Sequence, residues 1–231
     1  MSDPASSFYA SAPVQALFAR ELAALAPILA GVYGSFGLFV RAHAGAPAHL
    51  PPHLVTTMLD LACSGPRFDG AVSCEPDRLP FAGETFKLLI AQHAFERFAR
   101  PEECVAELAR VLAPEGVVLV FGFNPVGFWR PWLALNARGT ARLHLKSAYA
   151  WQQLLAREQI DTLQVRFPGT LLPRAHGGEH GRSSAFGRFG GSWLVLARKR
   201  RSTLTPLRLR SNARDLALSP RLAPGAQRAR A

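Results

Sequence analysis

FKLLIAQHAFERFARPEECVAELARVLAPEGVVLVFGF, Phe86 to Phe123, is the stretch on which the fold turns. Phe86 to His93 is an apolar run of the length of a buried strand. Pro101 then opens a helix that reaches Leu112. Proline suits the first helical turn, where its missing N–H is not needed, and Glu102 and Glu103 complement the helix dipole there. Ala113, Pro114, Glu115 and Gly116 stop the helix. Val117 to Phe123 is a second apolar run, closed by Asn124 and Pro125. Strand, helix and strand joined by short turns form a βαβ unit with parallel strands and a right-handed crossover. Because both runs are apolar throughout, both faces of the sheet are expected to be covered.

Upstream, Leu17, Phe18, Leu22, Leu25 and Leu29 recur at helical spacing behind Ser11 and predict a covering helix over Val14 to Ala30. Phe36 to Ala44 reads as a strand that follows two glycines. Leu54 to Ala62 reads as another, although Pro52 leaves a short helix open, and Arg67 to Cys74 as a third. Downstream of Phe123 come an aromatic patch (Phe128, Trp129, Trp132), a helix near Ser147 to Arg157 and a strand near Thr162 to Phe167. A glycine-rich loop, Gly177 to Gly191, and a closing strand, Ser192 to Ala197, complete the pattern.

The chain has 231 residues, 48% hydrophobic and 19% charged, which excludes global disorder and suits one medium domain with an appendage. Its net charge of +11 is unevenly placed. From Arg198 onward stand ten basic residues (Arg198, Lys199, Arg200, Arg201, Arg208, Arg210, Arg214, Arg221, Arg228, Arg230) and one acid, Asp215. We therefore read residues 1–200 as the folded domain and 201–231 as a flexible basic tail, which suffices for weak electrostatic contact with nucleic acid through 198–231. Cys63, Cys74 and Cys104 show no CxxC spacing, so neither a disulfide scaffold nor a zinc site is expected. The first residues lack the basic and apolar regions of a signal peptide, and Leu22 to Gly34 is too short to span a bilayer. A cytoplasmic protein without a membrane span is the expectation.

The run from Leu79 to Pro125 resembles the second half of class I S-adenosylmethionine-dependent methyltransferases of the type 11 family. The residues that carry the resemblance are Leu79, Pro80 and Phe81 before the strand, His93 and Glu96 at its end, and Arg110, Val111, Leu112, Pro114 and Gly116 at the helix stop. The chain is also similar to a bacterial branch of methyltransferase-like proteins. The shared elements there are Gly122 to Pro125, the stretch with Pro173, His176, Gly177 and Gly178, and Ala197 to Arg200 with Leu204 to Pro206.

This resemblance implies a Rossmann-like α/β sheet, mostly parallel with an antiparallel C-terminal strand, and S-adenosylmethionine as cofactor with a methyl acceptor of unknown identity. It places Glu75 at the acid that meets the adenine amino group and His93 at the strand end, as a base facing the methyl group or as a hydrogen-bonded turn residue. The family's glycine-rich run has its nearest counterpart in Tyr33, Gly34, Ser35, Phe36 and Gly37, with no acid before it. Gly34 and Gly37 are thus the candidate cofactor glycines. Asp60, the candidate ribose acid, falls within the second strand. Ala44 to His53 is short for a full crossover, so the first βαβ unit is expected to be shortened.

Other polar groups admit plain readings. Glu84 is read as solvated, Glu96 and Arg97 as the start of the next helix, and Asn124 as a turn that stops the strand. His176 and His180 lie among glycines that disfavour a metal-binding helix, and the surrounding loop suits a lid. The aromatic patch either walls a pocket or packs the next helix. The sequence is compatible with three functional classes: a methyltransferase, a catalytically inactive methyltransferase-like binding or regulatory module, and a nucleic-acid-associated protein.

Overall fold

The computed structural model describes residues 4–137, 143–174 and 187–201. In chain order its elements are α1 (Pro4–Tyr9), α2 (Ala12–Ala23), α3 (Ala26–Leu29), β1 (Tyr33–Arg41), β2 (Leu54–Ser64), β3 (Arg67–Gly70), β4 (Phe86–Gln92), α4 (Pro101–Val111), β5 (Leu112–Phe123), α5 (Arg130–Asn136), α6 (Ala148–Arg157), β6 (Ile160–Arg166) and β7 (Ser192–Lys199). Met1–Arg201 groups as one compact unit.

The βαβ unit forms as the sequence implies, with β4 and β5 adjacent and parallel around α4. One face of α4 (Cys104, Val105, Leu108, Ala109, Val111) is buried. Each large apolar side chain so placed contributes about 1.5–3 kcal/mol. The seven strands follow the order β3-β2-β1-β4-β5-β7-β6. β1, β2, β4 and β5 run parallel, and β7 is antiparallel to both β5 and β6. The mostly parallel sheet with a reversed C-terminal strand is therefore as expected.

Three local expectations are corrected. The helix predicted over Val14 to Ala30 is split into α2 and α3, with Pro27 in the first turn of the second piece, because proline cannot continue the hydrogen-bond ladder of the preceding turn. The strand read over Arg67 to Cys74 is shorter, ending at Gly70, and pairs antiparallel with β2 as a hairpin. Gly65, at φ +58, supplies the left-handed residue of the turn between them. The first strand begins at Tyr33, three residues earlier than read, so Gly34 and Gly37 lie inside β1 and not in a turn after a strand. The segment 42–53 joins β1 to the parallel β2 without a helix, so the first unit is shortened as expected.

Apolar clusters cover both faces of the sheet. On one, α4 and α6 pack through Val105, Leu108, Trp151 and Leu155 against Leu38, Leu89 and Val118. On the other, Leu22, Leu25 and Leu29 pack against Leu88, Ile90 and Leu119. Ala12–Leu29, of mean hydropathy 1.3, is long and apolar enough to cross a membrane by length and composition alone. In this fold its Leu17, Phe18, Leu22, Leu25 and Leu29 are buried in the domain. A third cluster joins the N-terminal helices (Phe8, Tyr9, Leu17, Phe18) to Ala42 and Ala46 after β1, and to Phe123 and Trp129 at the end of β5.

Candidate active site

Ligands of open α/β sheets bind outside the carboxyl ends of the parallel strands, where the strand order changes direction. Here that point lies between β1 and β4. The residues at these ends are Arg41, His43, Gln92, His93, Phe123 and Asn124, and every one of them is buried. α2 lies over them, presenting Phe18 and Glu21.

His93 forms the centre of the arrangement. It sits at φ +52, an uncommon conformation for a non-glycine residue. Its ring stacks on Phe18 at 4.8 Å and lies 4.2 Å from the ring of Phe123. Nε2 meets Glu21 Oε1 at 2.9 Å and Nδ1 meets Glu96 Oε2 at 3.0 Å. Glu96 also accepts the Phe123 backbone N–H. Gln92 Nε2 donates to Glu21 Oε2 at 2.9 Å and to the Phe18 carbonyl at 3.1 Å. Burial by itself would lower the pKa of His93, but the two carboxylates outweigh it and push it up to about 10. Burial raises that of Glu96, against the opposing pull of His93. At neutral pH His93 is thus an imidazolium donating both N–H groups to internal carboxylates, which leaves it no lone pair with which to take a proton.

Of the residues proposed for the site, only His93 enters this cluster. Gly34 and Gly37 give room to neighbouring side chains: a Cβ on Gly34 would stand 2.5 Å from Lys87 Cβ, and one on Gly37 would stand 2.2 Å from Met58 Sδ. Glu75 is exposed in the turn after β3, its backbone bridged to Arg78. Asp60 is held by the Arg41 guanidinium, whose Nε donates to it at 2.7 Å. Arg41 Nη1 also donates to the carbonyls of Ala44 and Ala46, at 2.9 and 2.7 Å, and so braces the loop after β1.

Two glutamates change standing. Glu96, read as the start of a helix, is a member of the buried triad. Glu21 is not among the sequence candidates, yet the sequence carries a signal for it: it shares the apolar stripe of Leu17, Phe18, Leu22 and Leu25, and a carboxylate on such a stripe calls for a partner. Asn124 ends β5 as expected, accepting from Val126 N–H at 3.2 Å and donating to the carbonyls of Arg188 and Gly190. Trp129 is fully buried and donates to the Thr170 carbonyl at 2.9 Å, which favours the packing reading of the patch, whereas Phe128 stays exposed. His176, His180 and most of the glycine-rich loop lie outside the described residues.

As arranged, these residues do not fit S-adenosylmethionine. The strand ends are covered by α2, the candidate ribose acid is engaged by Arg41, and the candidate glycines lie within β1.

Comparison with known proteins bears on the family and the fold. Residues 53–120 match the type 11 family model described as a methyltransferase domain, the family whose resemblance is read from Leu79 to Pro125. No curated protein matches the chain. Among solved structures, an S-adenosylmethionine-dependent methyltransferase from Thermotoga maritima shares 15% identity over 80% of this chain and 91% of its own, with a TM-score of 0.52. A protein from Listeria monocytogenes, named as an S-adenosylmethionine-dependent methyltransferase, shares 11% identity over 80% of this chain and 98% of its own, with a TM-score of 0.53. The cyclase SpnF shares 14% identity over 78% of this chain and 80% of its own, with a TM-score of 0.51. These likenesses establish the methyltransferase fold; one of the three proteins is named for a different reaction.

Proposed function

We propose that the chain is an S-adenosylmethionine-dependent methyltransferase whose ligand crevice is held shut by its own N-terminal helices. The observation that carries this reading is the type 11 match over residues 53–120, which takes in β2, β4 and most of β5. A second reading, a methyltransferase-like module without catalysis, is favoured by the engagement of Asp60 with Arg41 and the burial of Gln92 and His93. On the first reading α2 has to leave the strand ends before a cofactor enters, so the free energy of closure subtracts from the apparent affinity.

Titration with S-adenosylmethionine and S-adenosylhomocysteine, followed by calorimetry and by thermal unfolding, separates the two. A ligand at about one hundred times its Kd stabilises by about 2.7 kcal/mol, which raises the midpoint of a domain of this size by roughly 5 °C or more. Absence of both heat and shift at millimolar concentration removes the enzyme reading and leaves the second.

A further inference from the structure

The opposite end of the same sheet carries an open cleft of about 530 Å³. β1, β4 and β5 begin there, while the reversed β7 ends there, and this topology gathers Tyr33, Lys87, Glu115, Arg198 and Arg201 around one opening. Three cationic side chains thus face one carboxylate. Tyr33 is 78% exposed although it lines the cleft. The adjacent Gly34 lets the stem of Lys87 cross β1, since any side chain at that position would collide with it. Lys87 Nζ donates one hydrogen bond, to the Pro114 carbonyl at 2.6 Å, and so keeps donors for a ligand. Arg198 Nη1 is 3.9 Å from Glu115 Oε2, and both side chains are about half exposed, so this pair holds the arginine weakly.

Open cationic groups beside an exposed aromatic face are the combination with which proteins hold single-stranded nucleic acid. The charges follow the phosphates and a ring stacks on an unpaired base. The basic tail read from the sequence lacks such a ring; the cleft supplies one. We propose that the amino-end cleft formed by Tyr33, Lys87, Arg198 and Arg201 binds single-stranded nucleic acid, with a base stacked on Tyr33 and the backbone held by the cations. The site is separate from the strand-end crevice and does not depend on cofactor binding.

The test uses the full chain with fluorescein-labelled oligouridylate, duplex DNA of the same length, and heparin, at low and moderate salt. Tyr33→Ala is expected to weaken oligouridylate binding by about fivefold or more, while heparin binding is unchanged and Tyr33→Phe binds as the parent does. The double variant Arg198→Gln/Arg201→Gln is expected to weaken both ligands and to make the logarithmic salt slope for oligouridylate shallower by about 1.4. Arg67→Gln/Arg100→Gln removes the same charge from exposed positions elsewhere and serves as the control. Unaltered thermal midpoints establish that the variants are folded, and Tyr33, being exposed, is the one whose loss least disturbs the fold. The proposal is overturned if oligouridylate does not bind at low salt, if Tyr33→Ala binds it as the parent does or loses heparin equally, if duplex binding depends equally on Tyr33, or if the two arginine pairs behave alike. The last of these outcomes assigns the affinity to net charge.

Discussion

Glu21, His93 and Glu96 form a buried group in which the cation is outnumbered by carboxylates. Taking away the cation leaves two desolvated acids facing one site, so His93→Leu is expected to cost about 3–5 kcal/mol at neutral pH. The deficit should shrink toward pH 5, because burial raises the pKa of Glu96 and its protonation relieves the repulsion. In the parent protein the pKa of His93 is raised from 6.5 to about 10. Its stabilisation is therefore complete below the unfolded value and is lost as the pH rises through about 10. Urea unfolding of parent and variant across this range checks both slopes. Glu21→Gln is expected to be milder, since the amide still accepts a hydrogen bond and one surplus charge is removed.

Elements meet through a few fixed contacts, and their tolerance differs with what the neighbour is able to do. A Cβ at Gly122 in β5 would stand 2.3 Å from the Trp193 ring, which is itself held by bonds from Nε1 to the carbonyls of Phe123 and Lys146. A Cβ at Gly37 in β1 meets the flexible thioether of Met58. Gly37→Ala is thus expected to cost about 1–3 kcal/mol and Gly122→Ala more, as read by the midpoint of denaturant unfolding. Arg41 ties the end of β1 to β2 and to the loop beyond. Arg41→Met should lose roughly 2 kcal/mol in the same assay, because it breaks a charge-assisted fork and leaves two loop carbonyls without their donor.

At the scale of the whole molecule, the sheet has two ends with different character: one sealed by α1 and α2, the other open and cationic. If the sealed end admits a cofactor, amide hydrogens of α2 should lose protection when S-adenosylhomocysteine saturates the protein, while those of β4 and β5 gain it; hydrogen exchange read by mass spectrometry checks this. Much of the architecture was legible in the sequence. Phe86 to Phe123 announced its strands and helix because apolar period, an N-terminal proline and a glycine stop are local signals, and they agreed with one another. The resemblance to the type 11 family likewise was readable from Leu79 to Pro125, and the family model matches residues 53–120. The site was not, because its contacts join positions that no local signal connects: Glu21 reaches His93 from 72 residues away. Gly34 and Gly37 looked like a cofactor turn, yet what a glycine accommodates depends on the side chain that crosses it. The sequence by itself determined the βαβ core and the placement of charge, through local periodicity and composition. The tertiary structure decided that the strand ends are closed by an internal ion group and that an aromatic ring joins the cations at the other end, because both are matters of which distant residues the sheet order brings together.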